Sequence, residues 1–201
     1  MKLPDHIAVA VSGGPDSMAA LDFLSRKKDV LALHFNHKTQ DSDMAEHLVS
    51  DYCASRNIPL AIGELQVERP LNMSREDFWR KQRYQFFDWA SQDLSVITCH
   101  HLDDVMETWL FTSLHGDPRL IPSQRGRYLR PFLGTRKAVF EEWCDRKDVP
   151  YVIDPSNRDI SYMRNYIRHE LMPKALRINP GFAKVLRKKI KKSPVIFNDV
   201  D

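Results

Sequence analysis

Six residues, Ser12-Gly13-Gly14-Pro15-Asp16-Ser17, follow the short apolar run Ile7 to Val11 and have the chemistry of an anion cradle. Paired glycines permit a tight turn and let backbone N–H groups come close to an anion. The start of the helix that follows adds unsatisfied donors and the positive end of its dipole. Ser12 and Ser17 add hydroxyls. The ligand such a loop suits is a phosphate or pyrophosphate. A carboxylate inside it, Asp16, makes sense when a divalent cation sits between it and the phosphates. The spacing fits neither GxxxxGK[ST] nor GxGxxG. A plain strand-to-helix turn also uses Gly-Gly and Pro-Asp, so the loop alone leaves both readings open.

A second cluster is His100-His101-Leu102-Asp103-Asp104, continued by Glu107-Thr108. His100, Asp104 and Thr108 are spaced to share one helix face, and Asp103 and Glu107 a neighbouring one. Acids in a first helical turn suit the dipole. Several acids beside two histidines also repel one another unless a cation relieves them. Asp104 is the best placed to hold Mg²⁺, and His100 to stabilise phosphate charge or move a proton near neutral pH. A zinc site lacks third and fourth ligands at suitable spacing. Arg164 and Arg168, also four apart, can clamp a phosphate or carboxylate, or else bridge to Asp159 or Glu170 on the surface. His34-Phe35-Asn36-His37 ends another apolar run, where the backbone is placed to read an adenine edge.

The elements that must position these residues alternate. Strands are expected at His6–Val11, Val30–Phe35, Leu60–Leu65 and Ser95–Thr98. Helices are expected at Met18–Arg26, Asp41–Arg56, Ser74–Ala90, Leu102–Thr112, Thr135–Lys147 and Met163–Met172, the last stopped by Pro173. Residues 116–130 read as a loop, and a last basic helix follows Asn179-Pro180-Gly181. The pattern predicts a doubly wound α/β fold: a mainly parallel five-stranded sheet with helices on both faces, plus a short helical basic C-terminal extension. Ligands in such folds bind at the carboxyl ends of the strands, where the strand order reverses. Every cluster above follows a strand or opens a helix.

The chain of 201 residues is 42% hydrophobic and 28% charged, which excludes a disordered or collagen-like chain. No apolar run approaches a membrane span, and the first residues lack the pattern of a secretory signal. Cys53, Cys99 and Cys144 lie far apart and form no CxxC pair, which suits free thiols in a reducing cytoplasm. The net charge is +3. Residues 164–192 hold ten Lys or Arg and one acid, Glu170, and residues 119–137 hold six basic residues and no acid. Cations clustered on an otherwise acidic body are a footprint for a polyanion, nucleic acid above all.

Taken together, these motifs resemble one family. The first loop is similar to the SGGxDS pyrophosphate loop of N-type ATP pyrophosphatases. His100 to Thr108 resembles the HxxDDxxET motif of the tRNA(Ile)-lysidine synthases. Ser74 to Phe87 resembles that family's Arg-rich helix ending in RYxFF, which includes Arg83. Arg130-Pro131-Phe132-Leu133 resembles its RPLL-type segment. Asp154-Pro155-Ser156-Asn157, Arg164-Asn165-Tyr166-Ile167-Arg168 and Leu171-Met172-Pro173 resemble its DxSN…RNxIR…LxP signature.

The resemblance, which runs from about Ile7 to Pro173, implies a ligase that uses ATP and Mg²⁺ to join free L-lysine to the anticodon cytidine of an isoleucine tRNA. The base would be adenylated first, with AMP and pyrophosphate as products. It implies a cradle of Ser12, Gly13, Gly14, Pro15, Asp16 and Ser17, with His34 beside the nucleotide. Asp16 and Asp104 would hold the metal, and Asp16, His100, Asp104 and Arg164 would be catalytic. Asp103, Glu107, Arg83, Arg168 and Arg130 would meet lysine or tRNA. Residues 1–173 would form the catalytic domain and 174–201 a basic extension, with a homodimer as one way to grip a tRNA and no role for a membrane. The family usually carries an Arg-Gly-Ser/Thr-Gly segment after the acidic helix, where this chain reads His115-Gly116-Asp117-Pro118-Arg119. Two other readings are an RNA-directed ATP pyrophosphatase with a different acceptor or nucleophile, and an ATP- and RNA-binding module without turnover.

Overall fold

The β-branched run after His6 becomes the central strand of a six-stranded sheet. The computed structural model describes residues 2–39, 42–67 and 69–191. Strand β1 (His6–Ala10) leads through α1 (Pro15–Ser25) to β2 (Asp29–Asn36), α2 (Ser42–Ser55) and β3 (Leu60–Glu64). Helix α3 (Arg75–Ala90) then carries the chain back across the sheet to β4 (Ser95–Ile97) and α4 (Leu102–Leu114). A hairpin of β5 (Gln124–Arg125) and β6 (Tyr128–Leu129) precedes α5 (Lys137–Lys147). The strand order is β3-β2-β1-β4-β6-β5. All neighbours are parallel except β5, which is antiparallel to β6. The order therefore reverses between β1 and β4.

The doubly wound parallel sheet is as expected, but it has six strands where five were. The extra pairing lies in 116–130, read as a loop because two-residue strands show no periodicity. Tyr128 and Leu129 are buried and pair with Val96 and Ile97, so tertiary contact decides them. Asp41, the expected start of the second helix, lies outside the described residues.

Both faces are covered. Ile7, Val9 and Val11 of the β1 region pack with residues of α1, α2 and α5, and Ala8, Leu33 and Val96 pack against Phe87 of α3 on the other face. Ser74 caps α3, its hydroxyl accepting the Asp77 N–H at 3.1 Å. The helical run does not stop at Pro173. A short α6 (Met163–Tyr166) passes through a π-helical turn (Ile167–Leu171) into α7 (Met172–Ile178), and α8 (Phe182–Lys191) follows. Pro173 lies in the first turn of α7, where a missing N–H costs nothing, and the π turn before it absorbs the ring. Leu186 and Ile190 of α8 are buried against Val105, Met106 and Leu133, so residues 174–191 share the body's packing. Lys192 and all later residues lie outside the described ones.

Asp22 ties three helices together. It accepts from Arg26 Nε at 2.9 Å, Tyr52 Oη at 2.7 Å and Trp143 Nε1 at 2.8 Å. Burial alone would raise its pKa, but these donors outweigh it and hold the carboxyl below its ordinary 3.8. Asp22→Ala strands the buried Tyr52 hydroxyl and the half-buried Trp143 N–H, at about 1–3 kcal/mol for a buried group, so a loss near 3 kcal/mol in urea unfolding is expected. Because the folded pKa is depressed, this support is present above pH 3.8 and is lost as pH falls through the folded value. Asp22→Asn is therefore expected to lose less stability than the parent between pH 5 and acid. An equal acid loss would remove Asp22 from that account.

Candidate functional site

The loop after β1 lies at the reversal of strand order. Gly13 adopts φ of +88°, and a Cβ there would come within 3.0 Å of Ala45 Cβ, so both conformation and space call for glycine. Ser17 Oγ donates to the Gly14 carbonyl at 3.0 Å, accepts the Ser12 N–H at 3.0 Å and lies 3.1 Å from Ser12 Oγ. The Val152 N–H donates to the Gly13 carbonyl at 2.9 Å, bracing the loop from outside. Pro15 begins α1, and Gly14 in the capping position has no side chain with which to cap it. The hydroxyls thus shape the loop, while α1 presents an open amino terminus.

His34 sits beneath this loop, its ring Nδ1 2.9 Å from the Val11 carbonyl. Nδ1–H therefore donates, and burial lowers the pKa of the imidazole. His37, between the rings of Phe35 and Trp79, is pushed down to about 4, chiefly by burial.

Helix α4 brings the acidic cluster to the same end. His101 is its capping residue: Nδ1 accepts the Asp104 N–H at 3.4 Å, and Asp104 Oδ2 accepts the His101 N–H at 2.9 Å. Across the cleft, His101 Nε2 lies 3.5 Å from Asp16 Oδ2. Asp16 and Asp104, 88 residues apart in sequence, thus flank one imidazole. Burial alone would lower the His101 pKa, but the contact with Asp16 and the charges of Asp104, Asp16 and Asp103 raise it.

His100 is half-buried, with Nδ1 3.1 Å from Thr98 Oγ1. Burial pushes its pKa down to about 4; Asp104 pulls the other way, and Arg130, Arg164 and Arg80 add to the fall. A neutral ring leaves phosphate charge to the arginines. Arg83 joins them: burial lowers its pKa, and the charges of Arg80 and Arg164 lower it further. Arg80, Arg83, Arg130 and Arg164 form no ion pair among the described residues. Arg130 Nη1 donates to the Pro122 carbonyl at 2.9 Å.

Other expected site residues are already paired. Asp103 turns to α5, accepting from the Lys137 N–H at 2.8 Å and Arg136 Nε at 3.1 Å. The buried Glu107 and the half-buried Arg168 form a two-pronged pair, with Nε to Oε1 at 2.6 Å and Nη2 to Oε2 at 3.2 Å. Burial pushes the Glu107 pKa up while Arg168 pulls it down, and the Arg168 pKa is raised. The short two-pronged geometry is that of the ionised form. Arg168 is therefore not an open clamp, nor Glu107 and Asp103 open receivers for an ammonium. The 115–119 segment closes the end of α4: Gly116 takes φ of +82°, and the Arg119 N–H donates to Thr112 Oγ1 at 2.9 Å.

Buried side-chain atoms without a partner among the described residues are Asp16 Oδ1, His34 Nε2, His37 Nδ1 and Arg130 Nε. All belong to residues at the carboxyl end of the sheet. Buried polar groups are ordinarily satisfied, so orphans gathered at one edge mark a site built for a polar ligand. His101 and Arg80 are the residues that sequence reasoning missed. The H-x-x-D spacing is that of a capping box, but histidine is not a usual cap.

The fold, the glycine loop and the acid pair define a PP-loop domain. The chain belongs to the PP-loop domain family, whose profile matches residues 2–175. Within it, the chain is similar to the tRNA(Ile)-lysidine synthases. It is 35% identical over 197 residues to that of Geobacter sulfurreducens, covering 89% of this chain and 42% of that protein. It is 31% identical over 192 residues to that of Thermotoga maritima, covering 88% and 46%. The chain thus spans less than half the length of these curated relatives. Among solved structures, it resembles an NH3-dependent NAD synthetase from Campylobacter jejuni, at TM-score 0.53 and 16% identity over 98% of this chain and 88% of that one. An NMN synthetase from Francisella tularensis gives TM-score 0.54 at 14% identity over 95% and 89%. These two likenesses concern the fold. Among the described residues, no helix is long and apolar enough to cross a membrane.

Proposed function

We propose that this chain catalyses ATP-dependent modification of the anticodon cytidine of an isoleucine tRNA with lysine. The cytidine O2 attacks the α-phosphorus of ATP and pyrophosphate leaves. The lysine ε-amine then displaces AMP at C2. The observation that carries the reading is the approach of Asp16, in the phosphate loop, and Asp104 to one imidazole, that of His101, next to His100, which feels the charges of Arg80, Arg130 and Arg164, arginines with no ion pair among the described residues. The relatives' names point to the tRNA and the base.

The cradle of Ser12 to Ser17 and the end of α1 would bind the β- and γ-phosphates. His34 would lie beside the nucleoside. The buried Asp16 Oδ1, without a partner among the described residues, fits a divalent cation, so Asp16 and Asp104 would hold Mg²⁺. When bound, Mg²⁺ supplies positive charge against the leaving pyrophosphate. Arg164, Arg130 and Arg83 would neutralise phosphate or RNA charge. His100, its Nδ1 3.1 Å from Thr98 Oγ1, would relay the proton that the lysine ammonium must shed. The pairing of Asp103 and Glu107 favours one second reading, a different amine as nucleophile. The test is formation of AMP and pyrophosphate from ATP with and without tRNA. Release that requires tRNA is expected; ATP binding without release under either condition overturns the enzymatic reading.

The exposed side of α8 bears Lys184, Arg187 and Lys188. Replacing all three by glutamine is expected to weaken tRNA binding and to flatten its log–log salt dependence by about 2–3, since each phosphate contact contributes roughly 0.7–0.9. An unchanged slope would make this face merely solvated.

A further inference from the structure

The geometry points to His101 as a positioning residue that sets Asp16 against Asp104 so that the two carboxylates converge on one divalent cation. The inference rests on the Mg²⁺ assignment above and goes beyond it by naming what aligns the pair. Capping of α4 uses Nδ1 as an acceptor, which leaves the ring proton on Nε2, the nitrogen 3.5 Å from Asp16 Oδ2. One ring therefore restrains the loop carboxylate at one nitrogen and the helix that carries Asp104 at the other. Each carboxylate gives Oδ2 to His101, Asp16 to its side chain and Asp104 to its backbone N–H. Each keeps Oδ1: that of Asp16 is buried and has no partner among the described residues, and that of Asp104 is 3.8 Å from Arg168.

The surroundings hold the imidazole in place. Its side chain is 3% exposed, and its ring lies 6.1 Å from that of Phe140. Asp103, 3.8 Å from Nδ1, is tied to α5 and does not compete for the ring. Groups that orient metal-binding carboxylates typically contribute about 10–100-fold in metal affinity.

Two substitutions divide the capping role from the positioning role. Asparagine is a good cap but is too short to reach Asp16. Glutamine places its amide N–H near the position of Nε2 but caps poorly. The probe is Mn²⁺, titrated by electron paramagnetic resonance with a non-hydrolysable ATP analogue, alongside thermal unfolding of each full-length variant. His101→Asn is expected to unfold within a few degrees of the parent and to bind Mn²⁺ at least tenfold more weakly. His101→Gln is expected to retain Mn²⁺ affinity within about threefold. The half-saturating Mg²⁺ for pyrophosphate release should follow the same order. Parent-like Mn²⁺ binding by His101→Asn, or tenfold loss in a folded His101→Gln, would overturn the positioning role while leaving the metal assignment intact. Absence of nucleotide-dependent Mn²⁺ binding in the parent would overturn both.

Discussion

Asp16→Asn and Asp104→Asn are each expected to lower tRNA-dependent pyrophosphate release by roughly a thousandfold while the protein stays folded. The loss is that of a charge aimed at the leaving group, a contribution of several kcal/mol in such sites. The fold should survive for local reasons. Asp16 is only partly buried, and a neutral residue in the first turn of α1 forfeits about 0.3–1 kcal/mol of dipole interaction. An asparagine at 104 keeps an oxygen for the His101 N–H, so the cap of α4 persists. Single-turnover assays with parallel circular dichroism are the check. Activity within tenfold of the parent in either variant would remove that residue from the metal pair.

The other large effect concerns stability. Arg168→Ala leaves the Glu107 carboxylate buried beside Asp104 without its partner. Breaking a buried pair from one side typically costs about 3–5 kcal/mol, whereas replacing both partners with apolar residues is often neutral. For a chain of 201 residues, the single variant should melt on the order of 10 °C lower, at about 2–4 °C per kcal/mol. Glu107→Leu with Arg168→Leu should recover most of that loss. The pair joins the π turn of 167–171 to α4, so this result would assign Glu107 to holding the cleft's wall. A single variant with unchanged melting but a raised KM for lysine would instead return Glu107 and Arg168 to the substrate site.

The two motifs nearest the proposed chemistry were legible because they are local. Residues 12–17 form a continuous loop after an apolar run, and residues 100–108 open one helix, so spacing alone puts their side chains at a strand's end. Partnerships across the chain were not legible. Glu107 finds Arg168 61 residues on, and Asp103 finds Arg136 33 residues on. Spacing within one helix made all of these look available. The same limit hid His101, whose role depends on the approach of Asp16 from another element. For the fold, long periodic runs such as α3 are legible, ending at Ala90 as the spacing predicts. The β5–β6 hairpin and the run through Pro173 are not, because buried neighbours and a π turn decide them.

Incorporation of labelled lysine into tRNA tests the central claim most directly. The protein would be mixed with ATP, Mg²⁺, labelled lysine and an isoleucine tRNA bearing a CAU anticodon, with bulk tRNA lacking it as the control. The account predicts ATP-dependent label in the isoleucine tRNA alone, lost in Asp16→Asn. Bound ATP with neither label nor pyrophosphate release on any tRNA would contradict it.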